Sequence, residues 1–83
     1  MISLFNILQV WLKQKGRIGG KKFYVDDDDF DMIVCKSCGC FEAFIESDRL
    51  ALRLDSPNYK IIRAVEPEFL FNLETHLKAH VCG

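Results

Sequence analysis

The chain lacks a long hydrophobic run, is poor in proline, and carries almost no net charge. Its longest apolar stretch, residues 1–12 (MISLFNILQVWL), is broken by Ser3, Asn6 and Gln9. That is short of the roughly 20 residues a membrane-spanning helix needs. Its positive charges follow the apolar run, the reverse of a secretory signal. Two prolines and five glycines in 83 residues exclude a low-complexity or collagen-like chain. No internal repeat is present. With 49% hydrophobic and 28% charged residues, the expectation is one globular domain, residues 1–83, that is soluble and makes no membrane contact. A chain this short buries only roughly 60–65% of its unfolded surface, so an additional staple is favoured.

The net charge of −1 hides an asymmetry. Residues 1–25 hold Lys13, Lys15, Arg17, Lys21 and Lys22 and no acid, whereas residues 26–31 hold Asp26, Asp27, Asp28, Asp29 and Asp31 and no base. The two stretches can neutralise each other, or they can present separate patches. In the second case the 13–22 segment is a candidate for non-specific contact with nucleic-acid phosphates.

Four cysteines are present, Cys35, Cys38, Cys40 and Cys82. Three crowd into six residues, and one remote cysteine cannot pair with all three. Metal ligation is therefore favoured over disulfides, and reduced thiols imply an intracellular location, cytoplasm or nucleus. Cys35-Lys36-Ser37-Cys38 is followed by Gly39. Two cysteines separated by two residues can place both sulfurs on one ion from a tight turn. His76 and His80 stand at i and i+4 and would project from one helix face. Together the pairs make a Cys2His2 set suited to Zn²⁺. Cys82 rivals His80 for the fourth position, and Cys40 reads as a small buried hydrophobe. A redox role would place the Cys-x-x-Cys pair at a helix N-terminus, but a strand-like segment follows it. Four ligands leave no open coordination position, and no nucleophile–base pattern appears. Gly16-x-x-Gly19-Gly20-Lys21 lacks the phosphate-loop spacing. A catalytic role is not expected.

Residues 2–15 read as a helix with a narrow polar stripe of Ser3, Asn6, Gln9 and Lys13. So wide an apolar face predicts a largely covered helix, packed on the domain's own sheet or on a second chain. Segments 22–25, 32–35 and 41–45 are rich in aromatic and β-branched residues and read as strands. Segments 49–54 and 59–64 read as a hairpin about the turn Asp55-Ser56-Pro57-Asn58. From Pro67, which suits a first helical turn, a second helix is predicted. Phe69, Leu73, His76, Leu77 and His80 would share its face. The predicted architecture is α+β: an N-terminal helix, a small antiparallel sheet bearing a zinc knuckle, and a zinc-anchored C-terminal helix.

Leu73-Glu-Thr-His76-Leu-Lys-Ala-His80 resembles the helix of a Cys2His2 zinc finger, and Cys35-Lys-Ser-Cys38-Gly-Cys-Phe41 resembles its knuckle and first core aromatic. The family joins the two pairs through about a dozen residues, whereas thirty-seven separate Cys38 from His76. Residues 46–66 would then be an insertion. The resemblance implies DNA-reading positions at Phe69, Asn72 and Thr75. Phe69 has no donor for a base edge, so sequence-specific reading is not expected. Gly19-Gly20-Lys-Lys-Phe-Tyr24 followed by an acidic stretch and Cys35-x-x-Cys38-Gly also resembles the dimerisation half of a ferric-uptake-regulator family protein. That resemblance implies a strand over Phe71-Asn-Leu-Glu-Thr-His76 and a second metal site involving Asp29, Asp31 and His76. The sequence thus points to a small zinc-stabilised regulator or adaptor acting by protein contact. Trp11, Phe69 and Phe71 are candidate contact residues, and the N-terminal helix is a candidate oligomer surface. The alternative is a fragment of a metal-sensing transcription regulator.

Overall fold

The computed structural model of the chain describes residues 3–27, 31–55 and 57–82. Helix α1 (Leu4–Lys15) precedes strands β1 (Phe23–Asp26), β2 (Met32–Cys35), β3 (Phe41–Glu46), β4 (Arg49–Arg53) and β5 (Tyr59–Arg63), and helix α2 (Phe69–Lys78) comes last. The strands form one antiparallel sheet in chain order. The α+β class stands as predicted.

Helix α1 begins where the Ser3 side chain accepts the Asn6 N–H at 3.3 Å, occupying one of the unpaired donors of the first turn. It ends at Gly16, whose positive φ of 70° is open to glycine at little cost. Lys13 and Lys15 lie in its last turn, where the helix dipole favours cations. Leu4, Leu8 and Leu12, spaced by four, are its buried row. The expectation of a largely covered helix is corrected here, because Ile7 and Val10 are exposed. The sheet covers one face of a helix that is apolar on more than one.

One buried cluster joins the α1 leucines to Ile33, Cys35, Ala43, Leu50, Leu52 and Ile62 of the sheet and to Phe69, Leu73 and Leu77 of α2. Ile33 and Cys35, like Leu50 and Leu52, are two apart, as one face of a pleated strand requires. The opposite sheet face carries aromatics. The Phe44 ring lies 4.7 Å from Phe41 and 5.8 Å from Tyr59.

In β3 the pairing register slips. Val34 faces Phe41 while the preceding Ile33 faces Ala43, so Glu42 is an extra residue on its strand. Such a bulge bends the strand and re-aims a side chain.

Helix α2 starts two residues after Pro67, at Phe69, and its N-cap Glu68 makes no side-chain capping bond. The segment that the ferric-uptake-regulator resemblance makes a strand is helical. The helix stops at Lys78 with Ala79 as cap, so His80 and Cys82 lie in a non-helical tail. Gly19 lies against this end: a Cβ there would sit 3.3 Å from the Lys78 Cα and carbonyl oxygen. Among the described residues no helix is long and apolar enough to cross a membrane.

Candidate metal centre

The knuckle is built by backbone bonds. Gly39 N–H donates to the Cys35 carbonyl at 2.8 Å, and Cys35 N–H donates to the Cys40 carbonyl at 2.8 Å. Gly39 has φ of 76°, a left-handed conformation that lets the chain reverse immediately after Cys38. Cys35 ends β2 with its side chain in the core, fully buried, and Cys38 lies on the turn above it.

The tail after α2 brings two more donors to this turn. Cys35 Sγ stands 3.6 Å from Cys82 Sγ, Cys38 Sγ stands 3.2 Å from His80 Nε2, and Cys82 Sγ stands 3.7 Å from His80 Nε2. All four donor atoms lie within 4.8 Å of one another. The Cys35 and Cys82 sulfurs are much farther apart than the roughly 2.0 Å of a disulfide, and all four cysteines are free. With zinc–sulfur bonds of about 2.3 Å and zinc–nitrogen bonds of about 2.0–2.1 Å, a tetrahedron has sulfur–sulfur edges of about 3.8 Å and sulfur–nitrogen edges of about 3.6 Å. The Cys35–Cys82, Cys38–His80 and Cys82–His80 separations are near that size, within a group that spans at most 4.8 Å. Cys35, Cys38, His80 and Cys82 therefore form a Cys3His group that can hold a metal ion and is consistent with zinc.

His76, expected as a ligand beside His80, stands outside this group. Its Nε2 lies 3.2 Å from the Glu42 carbonyl oxygen. A carbonyl only accepts, so this nitrogen carries the hydrogen and has no lone pair for a metal. The expected i, i+4 pairing requires the helix to run through His80, and it ends at Lys78. Cys82 stands in the group together with His80 instead of replacing it. Cys40, expected to be buried, is exposed.

Behind His80 stands a carboxylate. His80 Nδ1 is 3.2 Å from Glu42 Oε1, and the imidazole is buried. Arg53 Nη2 donates to the same oxygen at 3.2 Å, and Arg53 Nε donates to the Phe41 carbonyl at 2.7 Å. His76 Nε2 lies 3.5 Å from Glu42 Oε2. A cleft lined by Glu42, Arg53, Asp55, His76, His80 and Val81 opens beside these groups. Neither Glu42 nor Arg53 stands out in the sequence, because strict alternation would place Glu42 on the opposite sheet face. Only the bulge turns it toward the tail.

The thiols perturb one another. A hydrogen bond from the Cys40 amide holds the Cys38 thiol below its ordinary value, and Cys38 in turn raises Cys40. Cys82, hydrogen-bonded to Cys38 and Cys35, is pushed up to about 11. Ionisation of one sulfur thus opposes ionisation of its neighbours, an opposition that a divalent cation at the centre would relieve.

The other expected sites fall elsewhere. Lys15 pairs with Glu74 at 3.1 Å and sits 5.8 Å above the Trp11 ring. Arg17 Nη1 donates to the Gly20 carbonyl and Lys21 Nζ to the Gly19 carbonyl, so both fold back on their own loop. Lys13 and Lys22 are exposed. Phe69, expected at a contact surface, is corrected to a core residue at 5% exposure, whereas Phe71 is 71% exposed. Trp11 is partly buried against the core. Asp29, invoked for a second metal site, lies outside the described residues, and Asp31 is exposed. Comparison of the chain with protein-family models, curated proteins and solved structures finds no match.

Proposed function

We propose that the chain is a zinc-stabilised binding module, a small regulator or adaptor that acts by protein contact and has no catalytic role. The observation that carries the reading is the convergence of Cys35, Cys38, His80 and Cys82 from two distant parts of the chain. Three thiolates and an imidazole are a donor set for Zn²⁺, and four protein donors leave no position for substrate. The metal's work is structural: it clamps the tail after α2 to the β2–β3 turn. Such binding contributes on the order of 10 kcal/mol, comparable to the whole stability of a small domain.

The protein-contact part rests on the apolar surface the fold leaves open. Ile7 and Val10 of α1 and Leu70 and Phe71 of α2 are exposed, and a mostly apolar groove lies between Ile7, Val10, Trp11 and Leu70. Exposed apolar patches of this kind mark contact surfaces. The basic segment supports nucleic-acid contact less well, since Lys15, Arg17 and Lys21 have partners of their own. The metal-sensor alternative is weakened by the helical 71–76 segment.

The test has two parts. Native mass spectrometry should find one zinc per chain, lost in Cys82→Ala. The zinc-loaded protein is then titrated with a mixed-sequence oligonucleotide at two salt concentrations. Binding that weakens steeply with salt and disappears in a Lys21→Glu, Lys22→Glu variant would replace protein contact with phosphate contact. Absence of zinc in the wild type would remove the module itself.

A further inference from the structure

We propose that Glu42 is the positioning residue of the metal centre. Its carboxylate selects which nitrogen of His80 binds the ion and holds the ring for it. The inference rests on the metal-binding reading of the Cys3His group and extends it to residues outside the ligand set.

The geometry is directional. An imidazole offers a metal one nitrogen, and the other then carries a hydrogen that seeks an acceptor. His80 Nε2 faces the sulfurs of Cys38 and Cys82, and Nδ1 faces Glu42 Oε1 at 3.2 Å. An ionised carboxylate only accepts. Nδ1 therefore holds the hydrogen, and the Nε2 lone pair points at the centre of the cluster. A carboxylate behind a ligating histidine raises the basicity of the ring and fixes its orientation.

The chain devotes several features to holding Glu42 there. It is 6% exposed, and a buried carboxylate requires compensation. Arg53 supplies the opposite charge at 3.2 Å and is itself anchored on the Phe41 carbonyl. His76 binds the Glu42 carbonyl oxygen, tying the bulge to α2. The bulge is what turns residue 42 toward the tail. His76 thus acts on the centre through Glu42, and its i−4 spacing from His80 serves the carboxylate. Charge follows the same logic. Three thiolates and a divalent ion leave one negative charge, and Arg53 offsets the second negative charge that Glu42 adds.

The test uses full-length protein labelled with ¹⁵N-histidine, loaded with Zn²⁺, together with Glu42→Gln and Glu42→Leu. In the wild type the ¹⁵N spectrum should show His80 protonated at Nδ1 and metal-bound at Nε2, with a slowly exchanging Nδ1 hydrogen. Zinc affinity, read by competition with a chromophoric chelator, should fall about 10- to 100-fold in Glu42→Leu, and Nδ1 hydrogen exchange should accelerate. Glu42→Gln keeps an acceptor oxygen and should recover most of that affinity, an outcome that volume or packing alone would not give. Metal binding through Nδ1 in the wild type would overturn the proposal even if both variants failed to fold. So would unchanged affinity and exchange in a folded Glu42→Leu. Failure of the wild type to bind zinc would instead remove the underlying metal reading.

Discussion

The two helices bury the same kind of face but are secured in different ways. Helix α1 buries Leu4, Leu8 and Leu12, and helix α2 buries Phe69, Leu73 and Leu77, each row spaced by four. Helix α1 is finished locally, with Ser3 bonding its first turn and Gly16 closing its last. Helix α2 has neither a side-chain cap nor an acid in its first turn. Its C-terminal end instead leads directly into His80 and Cys82 of the metal group. The contrast teaches where a small chain places its stabilisation. Local capping is worth about 1 kcal/mol per end, whereas a metal clamp is worth on the order of 10 kcal/mol. The weakly capped helix is the one that a metal at this group would hold.

The largest expected effect is removal of the metal. Chelation should expose the amides of α2 and the tail to hydrogen exchange while those of α1 remain better protected. Equal loss in both helices would dissolve the contrast. Next are the ligands. Cys82→Ala should abolish tight zinc binding, whereas His76→Ala should retain the ion with weakened affinity, both read by chelator competition. Affinity should also depend on pH. At neutral pH the metal-free Cys82 thiol, pushed up to about 11, is protonated, and the ion must displace that proton. Zinc affinity should therefore rise with pH, by about tenfold per unit for each proton displaced. The stability the metal contributes is correspondingly lost as pH falls, a change that thermal melts across the neutral-to-acid range would track.

Core truncation should not distinguish the helices. Leu8 and Leu73 are both fully buried, and Leu8→Ala and Leu73→Ala should each cost about 2–5 kcal/mol in denaturant melts of zinc-loaded protein. The smallest effects sharpen the comparison at the N-termini. Ser3→Ala should cost about 0.5–2 kcal/mol by loss of its cap. Glu68→Ala removes no capping bond and should stay within about 0.5 kcal/mol.

Much of this is legible in the sequence. Alternation in RLALR and YKIIR, with a Pro-Asn turn between them, places the β4–β5 hairpin. Aromatic and β-branched runs place the other three strands, and the 3.6-residue period places both helices. The cysteine knuckle is legible because its spacing is local. The fourth ligand is not. The sequence around Lys78 and Ala79 contains no glycine or proline to announce that α2 stops before His80, so a continuous helix makes His76 the natural partner. Cys82 then reads as a rival for the wrong position. Glu42 is hidden for a different reason: a one-residue bulge reverses the side of the sheet that alternation assigns, and a bulge depends on pairing between strands. The open half of α1 also depends on tertiary structure, since how much of an apolar helix a sheet can cover is set by the sheet's width.

The central claim is that Cys35, Cys38, His80 and Cys82, rather than a Cys2His2 set with His76, surround the metal. X-ray absorption at the zinc edge of the loaded protein tests it most directly, because sulfur and nitrogen shells separate by distance. Three sulfurs at about 2.3 Å and one nitrogen at about 2.0 Å is the expected result. Two sulfurs and two nitrogens in the wild type would return His76 to the ligand set and contradict it.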